Sequence, residues 1–345
     1  MVPIRSLMRC RGCDSRVTTI RYRPVPLWPW SLVGLITIPL AISALVVFDQ
    51  VSGFVLFGDA EWYATALPRL FSDVPLYPPE KLQPHELGFP HYWNQPPTTA
   101  LFSLALLLPG DRWTWGLIMV AFVLLGLGIL WPRVGPGAAF LLLPILLVWL
   151  PVPSALAWAN INALVFGLLA VAWRYPRAAG WAIGVAAAAK LVPILGLAWL
   201  IGKRDWRAVG IALGIFAAAI AIIVIWKGPS TLTDFVVLRL NEVTPPAARP
   251  RWNLVELLNL PDWIAYVVAA VIAVLAIVRS SISLAIIAMI VSSPAVHAHY
   301  LIWLLIPILV IWLPWTIARL REPSPKGVSV GRSADVAPGT VAGPD

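Results

Sequence analysis

One acidic residue stands in a stretch that suits chemistry at a membrane edge. Asp59 and Tyr63 lie four residues apart, just after the first long apolar run, so a helix over 58–72 would place both on one face. Glu61 would then point to nearly the opposite side, which leaves one carboxylate facing a pocket. A single carboxylate suits the removal of a proton from a hydroxyl group. The alternative is a solvated charge beside a membrane helix.

Lys190 is the one ionisable residue placed deep within a long apolar run, 178–202. Twelve residues from the start of that run, at about 1.5 Å each, put it roughly 18 Å along a crossing of about 30 Å. A lysine at that depth costs around 2.5–3.5 kcal/mol on insertion scales, so it needs a partner or a wet cavity. Pro193 can kink the helix and free a backbone carbonyl. The alternative is a lysine that snorkels to the interface.

Two asparagines, Asn160 and Asn162, open the apolar run 154–173. In a continuous helix two residues two apart face different sides, so at most one of them would point into a pocket. The alternative role is interhelical hydrogen bonding, which is frequent for asparagine in membrane helices.

Two histidines, His297 and His299, precede the last apolar run. They could chelate a metal in an extended segment, but with only this pair we expect imidazole to donate to a phosphate instead. Cys10 and Cys13 form a C-x-x-C, and a structural zinc site needs two further ligands that are not nearby. We expect no metal and no cofactor.

The composition predicts an all-α polytopic membrane protein. The chain is 60% hydrophobic and 12% charged, with a mean hydropathy of +0.84, which excludes a soluble domain of this length. The net charge of +9 comes mostly from arginines at the ends and in short loops. It therefore reports topology and does not indicate nucleic-acid binding.

The apolar runs predict about ten transmembrane helices. They lie at about 28–48, 98–109, 113–131, 137–151, 154–173, 178–202, 208–226, 261–278, 281–296 and 300–317.

The same runs predict three parts. Residues 1–26 form a basic cytoplasmic tail, 27–317 a transmembrane domain, and 318–345 a disordered cytoplasmic tail rich in Pro, Gly and Ser. Two long loops, 49–97 and 227–260, then lie outside the membrane. All four histidines fall on that outer side.

Several of these motifs together resemble glycosyltransferase family 87. The order is an acidic residue and an aromatic after the first span, then Leu76-Tyr77, then Pro96-Pro97. The matching motifs further along are Ala159-Asn160-Ile161-Asn162 in part, Ala187 to Pro193, and Ser293-Pro294 with His299 and Trp303. In that register Tyr300 replaces a second histidine. Ala159, Asn160, Gln95 and Tyr300 depart from the family pattern and indicate a divergent branch.

The resemblance implies a GT-C fold and a polyprenyl-phosphate-mannose-dependent α-mannosyltransferase in the cell membrane. A lipid-phosphate donor and a lipid or cell-wall glycan acceptor would meet on the extracytoplasmic side, among membrane lipids. Asp59 would be the base. The phosphate would contact Lys190, His299, His297 and Arg251, and the substrates would contact Glu61, Tyr63, Asn160 and Asn162.

A single carboxylate and an in-line displacement predict inversion at the anomeric carbon. The alternative function is a transporter or flippase for a lipid-linked sugar. It would use the same basic and aromatic groups but would not need Asp59 as a base.

Overall fold

The structure is a computed structural model, and all the residues that it describes belong to one compact unit, Ser43–Asp345. The described residues are 57–64, 67–77, 85–86, 96–98, 104, 107–108, 111–130, 151–243, 262–293 and 298–309. The predicted tails, 1–26 and 318–345, lie outside them, as do the first predicted span and nearly all of the fourth.

The described part of the chain is helical apart from one pair of two-residue strands. The α-helices are α1 Gly58–Ala64, α2 Leu67–Leu70, α3 Asp111–Leu130, α4 Pro151–Trp158, α5 Asn162–Arg174, α6 Ala179–Ala189, α7 Gly196–Gly202, α8 Trp206–Lys227, α9 Ser230–Asn241, α10 Asp262–Arg279, α11 Ile282–Val291 and α12 Leu305–Pro307. Short 3₁₀ helices cover Pro176–Ala178, Val192–Leu195 and Ala298–Leu304. The strands β1 His85–Glu86 and β2 Glu242–Val243 pair in parallel.

Two of these helices, α3 and α8, are long and apolar enough to cross a membrane by length and composition. At 1.5 Å per residue, the 22 residues of α8 reach roughly 33 Å. Its ends are well defined, because Asp205 accepts a hydrogen bond from the Ala208 N–H at 3.1 Å and Gly228 ends the helix with φ 87°. The observed α3, α8 and α10 agree with the predicted helices at 113–131, 208–226 and 261–278.

Helix α5 lies at the centre of the described fold. Most of its residues from Asn162 to Ala172 are buried, and it packs against α3, α6 and the 3₁₀ helix Ala298–Leu304. Glycines allow the close approaches. A β-carbon on Gly180 of α6 would lie 2.3 Å from the Ala208 carbonyl oxygen of α8, so these two backbones are in direct contact.

Four predicted helices differ from the observed ones. The runs 154–173 and 178–202 are each broken, 281–296 is helical only to Val291, and the last run begins as a 3₁₀ helix. The predicted helix over 58–72 likewise ends early, because residues 71–77 form turns and bends. Hydropathy marks a long apolar run, but the breaks come from local backbone geometry.

Candidate active site

Helix α1 holds Asp59 and Tyr63 on its buried face. Phe57, with φ 63°, starts the helix, and its N–H donates to the Ala157 carbonyl of α4 at 2.6 Å. Asp59 is 2% exposed and Tyr63 is also buried. The shared face predicted for these two residues is therefore observed.

The junction between α4 and α5 breaks the predicted helix over 154–173. Ala159 has φ 49°, in the left-handed region that a residue with a β-carbon rarely adopts. Its carbonyl oxygen accepts a hydrogen bond from Trp115 Nε1 of α3 at 2.8 Å. The chain therefore leaves the helical path after Trp158, and α5 begins at Asn162.

Because of this break, both asparagines enter one hydrogen-bond network, whereas a continuous helix would have turned them to different sides. Asn160 Nδ2 donates to Asp59 Oδ2. Asn160 Oδ1 accepts from the Asn162 backbone N–H at 2.9 Å. Asn162 Oδ1 accepts from Lys190 Nζ at 3.0 Å. We call these four residues, Asp59, Asn160, Asn162 and Lys190, the Asp–Lys network.

The sequence predicted that Lys190 lies within a continuous helix over 178–202, but it does not. It ends α6 in an extended conformation, with φ −152° and ψ 129°. Pro193 explains the break, because it has no N–H to bond the carbonyl four residues earlier, that of Ala189. This freed carbonyl accepts a hydrogen bond from the hydroxyl of Thr98.

The 3₁₀ helix Ala298–Leu304 closes the network from another side. Lys190 Nζ lies 3.7 Å from the ring centroid of Tyr300, a cation–π contact. The rings of Tyr300 and Trp303 are 5.4 Å apart, and Trp303 Nε1 donates to the Asn162 carbonyl at 3.1 Å. Lys190 is therefore held by an amide oxygen and an aromatic face, which does not fit the snorkelling alternative.

Burial controls the protonation of Asp59, the acidic residue of the network. It raises the pKa of Asp59 from 3.8 to about 7, against the hydrogen bond from Asn160 and the positive charge of Lys190, which lower it. Burial and the charge of Asp59 also raise the pKa of Tyr63 well above its usual range, so Tyr63 stays a neutral phenol. Near neutral pH Asp59 therefore exists in both protonation states.

One buried donor of the network is unused. Within the described part of the chain, Asn162 Nδ2 has no hydrogen-bond partner. A buried amide N–H without a partner costs about 1–3 kcal/mol.

The other predicted site residues remain predictions. His297 and Arg251 lie outside the described residues, and only the backbone is described for Glu61, in α1, and for His299, in the 3₁₀ helix Ala298–Leu304. Over the described ranges no group of three or more His, Cys, Asp or Glu could hold a metal ion.

The sequence did not point to two residues that position the network. Trp115 bonds the Ala159 carbonyl and its ring lies 5.0 Å from that of Tyr63. Thr98 bonds the carbonyl freed by Pro193. Trp115 and Ala159 are 44 positions apart and Thr98 and Ala189 are 91 apart, so no local spacing could have revealed either contact.

Comparison with protein families decides the chemistry in broad terms. Residues 92–329, about two thirds of the chain, match glycosyltransferase family 87. The chain belongs to glycosyltransferase family 87. The match includes Asn160, Asn162, Lys190 and Tyr300, whereas Asp59 precedes it. No curated protein and no solved structure gives a significant match.

Membership in family 87 makes the protein a glycosyltransferase, with a sugar donor and an acceptor as its substrates. The Asp–Lys network contains a carboxylate and an ammonium group. A buried carboxylate can accept a proton, and an ammonium group can stabilise a departing negative charge.

Proposed function

We propose that this family-87 protein is an inverting glycosyltransferase of the cell membrane. It transfers a sugar, with mannose as the expected sugar, from a polyprenyl-phosphate donor to a lipid or cell-wall glycan acceptor on the extracytoplasmic side. About ten transmembrane helices in a GT-C arrangement would carry the site. No cofactor enters the reaction.

The observation that carries this proposal is the environment of Asp59. A general base works best when its pKa lies near the operating pH, and burial raises the pKa of Asp59 to about 7. Asp59 takes the proton from the acceptor hydroxyl, and the acceptor oxygen attacks the anomeric carbon of the donor. The bond from that carbon to the phosphate oxygen breaks, and its electron pair leaves with the lipid phosphate.

Lys190 supplies positive charge for the departing phosphate. Its ammonium group has three N–H donors. One is used by Asn162 Oδ1 at 3.0 Å, and the Tyr300 ring faces the charge. His299, His297 and Arg251 are the further proposed phosphate ligands. Tyr63, Glu61 and the amides of Asn160 and Asn162 are the proposed substrate contacts, the last through its unpartnered Nδ2.

Contacts between the two predicted outer loops support a shared side for both. Strand β1 at His85–Glu86 pairs with β2 at Glu242–Val243, and Lys227 Nζ donates to the Ser72 carbonyl at 2.5 Å. Segments in direct contact must emerge from the membrane on one side. The largely exposed apolar surfaces of α8 and α10 support a lipid environment for these helices.

Turnover by the purified protein tests the proposal. In nanodiscs, with polyprenyl-phosphate mannose and a crude glycolipid fraction as acceptor, wild-type protein should produce a new glycoside detectable by mass spectrometry. Asp59→Asn keeps the shape but removes the basic oxygen, so it should bind donor and lower transfer by about 10²–10⁴-fold.

Asp234→Asn is the matched control. Asp234, on α9, is also an acid whose pKa burial raises, but it is not part of the Asp–Lys network, so its loss should leave transfer close to wild type. A flippase would move lipid-linked sugar without forming a glycoside and would tolerate Asp59→Asn. If Asp59→Asn transferred sugar at the wild-type rate, Asp59 would not be the base.

A further inference from the structure

A pocket lies apart from the Asp–Lys network, between the segment after α2 and the junction of α8 with α9. Its volume is about 490 Å³. The residues that matter for its chemistry are Phe71, Ser72, Asp73, Trp226, Lys227 and Ser230. No residue of the Asp–Lys network lines it.

Hydrogen bonds and apolar packing hold the walls of this pocket together. Lys227 Nζ donates to the Arg69 carbonyl at 2.9 Å and to the Ser72 carbonyl at 2.5 Å. Below these bonds, Leu70 and its neighbours pack in a buried cluster with Ile223 of α8. The pocket is therefore preformed, which lowers the entropic cost of binding a ligand.

Two aromatic rings form its apolar wall. Phe71 is 59% exposed and Trp226 is 41% exposed, and their centroids are 5.8 Å apart with the planes at 67°. The faces of aromatic rings carry partial negative charge. They therefore attract the weakly positive C–H groups on one face of a sugar ring.

The polar groups beside the rings match hydroxyl groups better than a phosphate. Asp73 is exposed and lines the pocket, and its carboxylate can accept hydrogen bonds from two neighbouring hydroxyls. Lys227 has one N–H donor beyond the two that its carbonyl partners use. Among the lining residues one carboxylate, that of Asp73, accompanies one ammonium group, that of Lys227, so a phosphate would meet repulsion from Asp73.

The pocket lies beside the C-terminal end of α8. Lys227 is the last residue of α8, the longer of the two described helices able to cross a membrane. If α8 spans the bilayer, the end of the helix at Lys227 lies at the membrane–water boundary.

From these contacts we propose that the pocket binds a neutral hexose unit of the acceptor glycan. This inference rests on the proposed function, since it names where the acceptor is held while Asp59 activates its hydroxyl. The competing explanation is that Trp226 and Lys227 only anchor α8 at the interface, as such residues do in many membrane proteins.

Sugar binding can be measured without catalysis. Full-length protein in nanodiscs, mixed with methyl α-D-mannopyranoside, should show saturation transfer from protein to the sugar ring protons. Trp226→Leu and Asp73→Ala should each weaken binding by about tenfold, the effect of losing 1.4 kcal/mol. Asp73 is exposed, so its variant folds even if the tryptophan variant does not.

Trp206→Leu is the matched control, because Trp206 is 63% exposed at the other end of the same helix. Equal loss in both tryptophan variants would show an anchoring role and overturn the proposal. The proposal would also be overturned if sn-glycerol 1-phosphate competed for the pocket more strongly than the mannoside does. That result would mark a phosphate site.

Kinetics separate this proposal from the proposed function. In a working transfer assay, Asp73→Ala should raise the acceptor KM by about tenfold and leave kcat and the donor KM unchanged. An unchanged acceptor KM would overturn the pocket proposal alone. A wild-type protein that forms no glycoside with any acceptor, yet binds the mannoside at this pocket, would overturn the proposed function alone.

Discussion

Asp59 shows how the surroundings of one residue set its chemistry. An exposed aspartate has a pKa near 3.9 and is a weak base at neutral pH. Burial raises the pKa of Asp59 to about 7, while the Asn160 amide and the Lys190 charge limit the rise. The result is a carboxylate that can take a proton yet is ionised in part of the molecules at neutral pH.

The pH dependence of transfer should follow this balance. The base must be ionised to act, so activity should rise with pH through about 7. Asn160→Ala removes a hydrogen bond that lowers the pKa of Asp59, so the rise should move to higher pH. A hydrogen bond to a charged group contributes about 1.5–3 kcal/mol, so kcat/KM at about pH 6 should fall at least tenfold. Part of this loss should be recovered in alkali, and the part that remains reflects the proposed contact of Asn160 with substrate.

A series of kcat/KM measurements from about pH 5 to about pH 10 checks this expectation. Lys190→Met is the companion variant, because the lysine charge also lowers the pKa of Asp59, and its profile should move in the same direction. A profile that stays in place in Asn160→Ala would mean that this amide does not contact the ionised carboxylate.

At the scale of the elements, two broken helices make the site. The break after α4 is held by Ala159 in the left-handed region, and the break after α6 follows from Pro193. Each break frees a backbone carbonyl, which accepts a hydrogen bond from a side chain of another segment. The freed carbonyls at these breaks are thus satisfied inside the protein, which a bilayer environment would require.

Ala159→Gly tests the strain at the first break. An L-residue in the left-handed region costs roughly 1–2 kcal/mol, and glycine avoids this cost. We expect the thermal midpoint in nanodiscs to stay equal or to rise. Ala155→Gly, in the middle of α4 and equally buried, loses the same methyl group without relieving strain and should destabilise by about 1 kcal/mol. Equal losses in both variants would contradict a strained Ala159.

The contact between α6 and α8 gives a second test at this scale. A β-carbon on Gly180 would meet the Ala208 carbonyl oxygen at 2.3 Å, so Gly180→Ala must push the helices apart. Overpacking of this kind costs typically about 1–3 kcal/mol. Gly210 of α8 is exposed and has nothing from the described residues within 4 Å of such a carbon. Gly210→Ala should therefore stabilise by about 0.5–1 kcal/mol, and a melting series of both variants compares them directly.

At the scale of the whole molecule, the contacts between distant loops bear on topology. Ser72 and Lys227 touch, while Arg207 lies at the opposite end of α8. If α8 spans the membrane, these two ends must be on opposite sides.

Cysteine labelling in intact cells checks this arrangement. With Cys10 and Cys13 replaced, Ser72→Cys should react with an impermeant thiol reagent, because Ser72 is exposed in the predicted outer loop. Arg207→Cys, also exposed, should react only after lysis, because the basic cluster around it predicts the cytoplasmic side. The reverse pattern would overturn the topology and the side proposed for the active site.

The sequence by itself determined the helical class and the bounds of the most regular helices. Apolar runs and terminal charges are local signals of burial away from water, so α3, α8 and α10 were predicted to within a few residues. The same signals also singled out Asp59 and Lys190, because charged residues are rare in so apolar a chain.

Only the tertiary structure decided that these residues meet. Hydropathy reports whether a residue leaves water but not the backbone angle at Ala159, so the helix rule wrongly separated Asn160 from Asn162. Asp59 and Asn160 are 101 positions apart, and Asn162 and Lys190 are 28 apart. Contacts across such distances depend on how α1, α5 and α6 pack. The two helix breaks leave hydrogen-bond donors and acceptors in the interior, and these groups complete each contact.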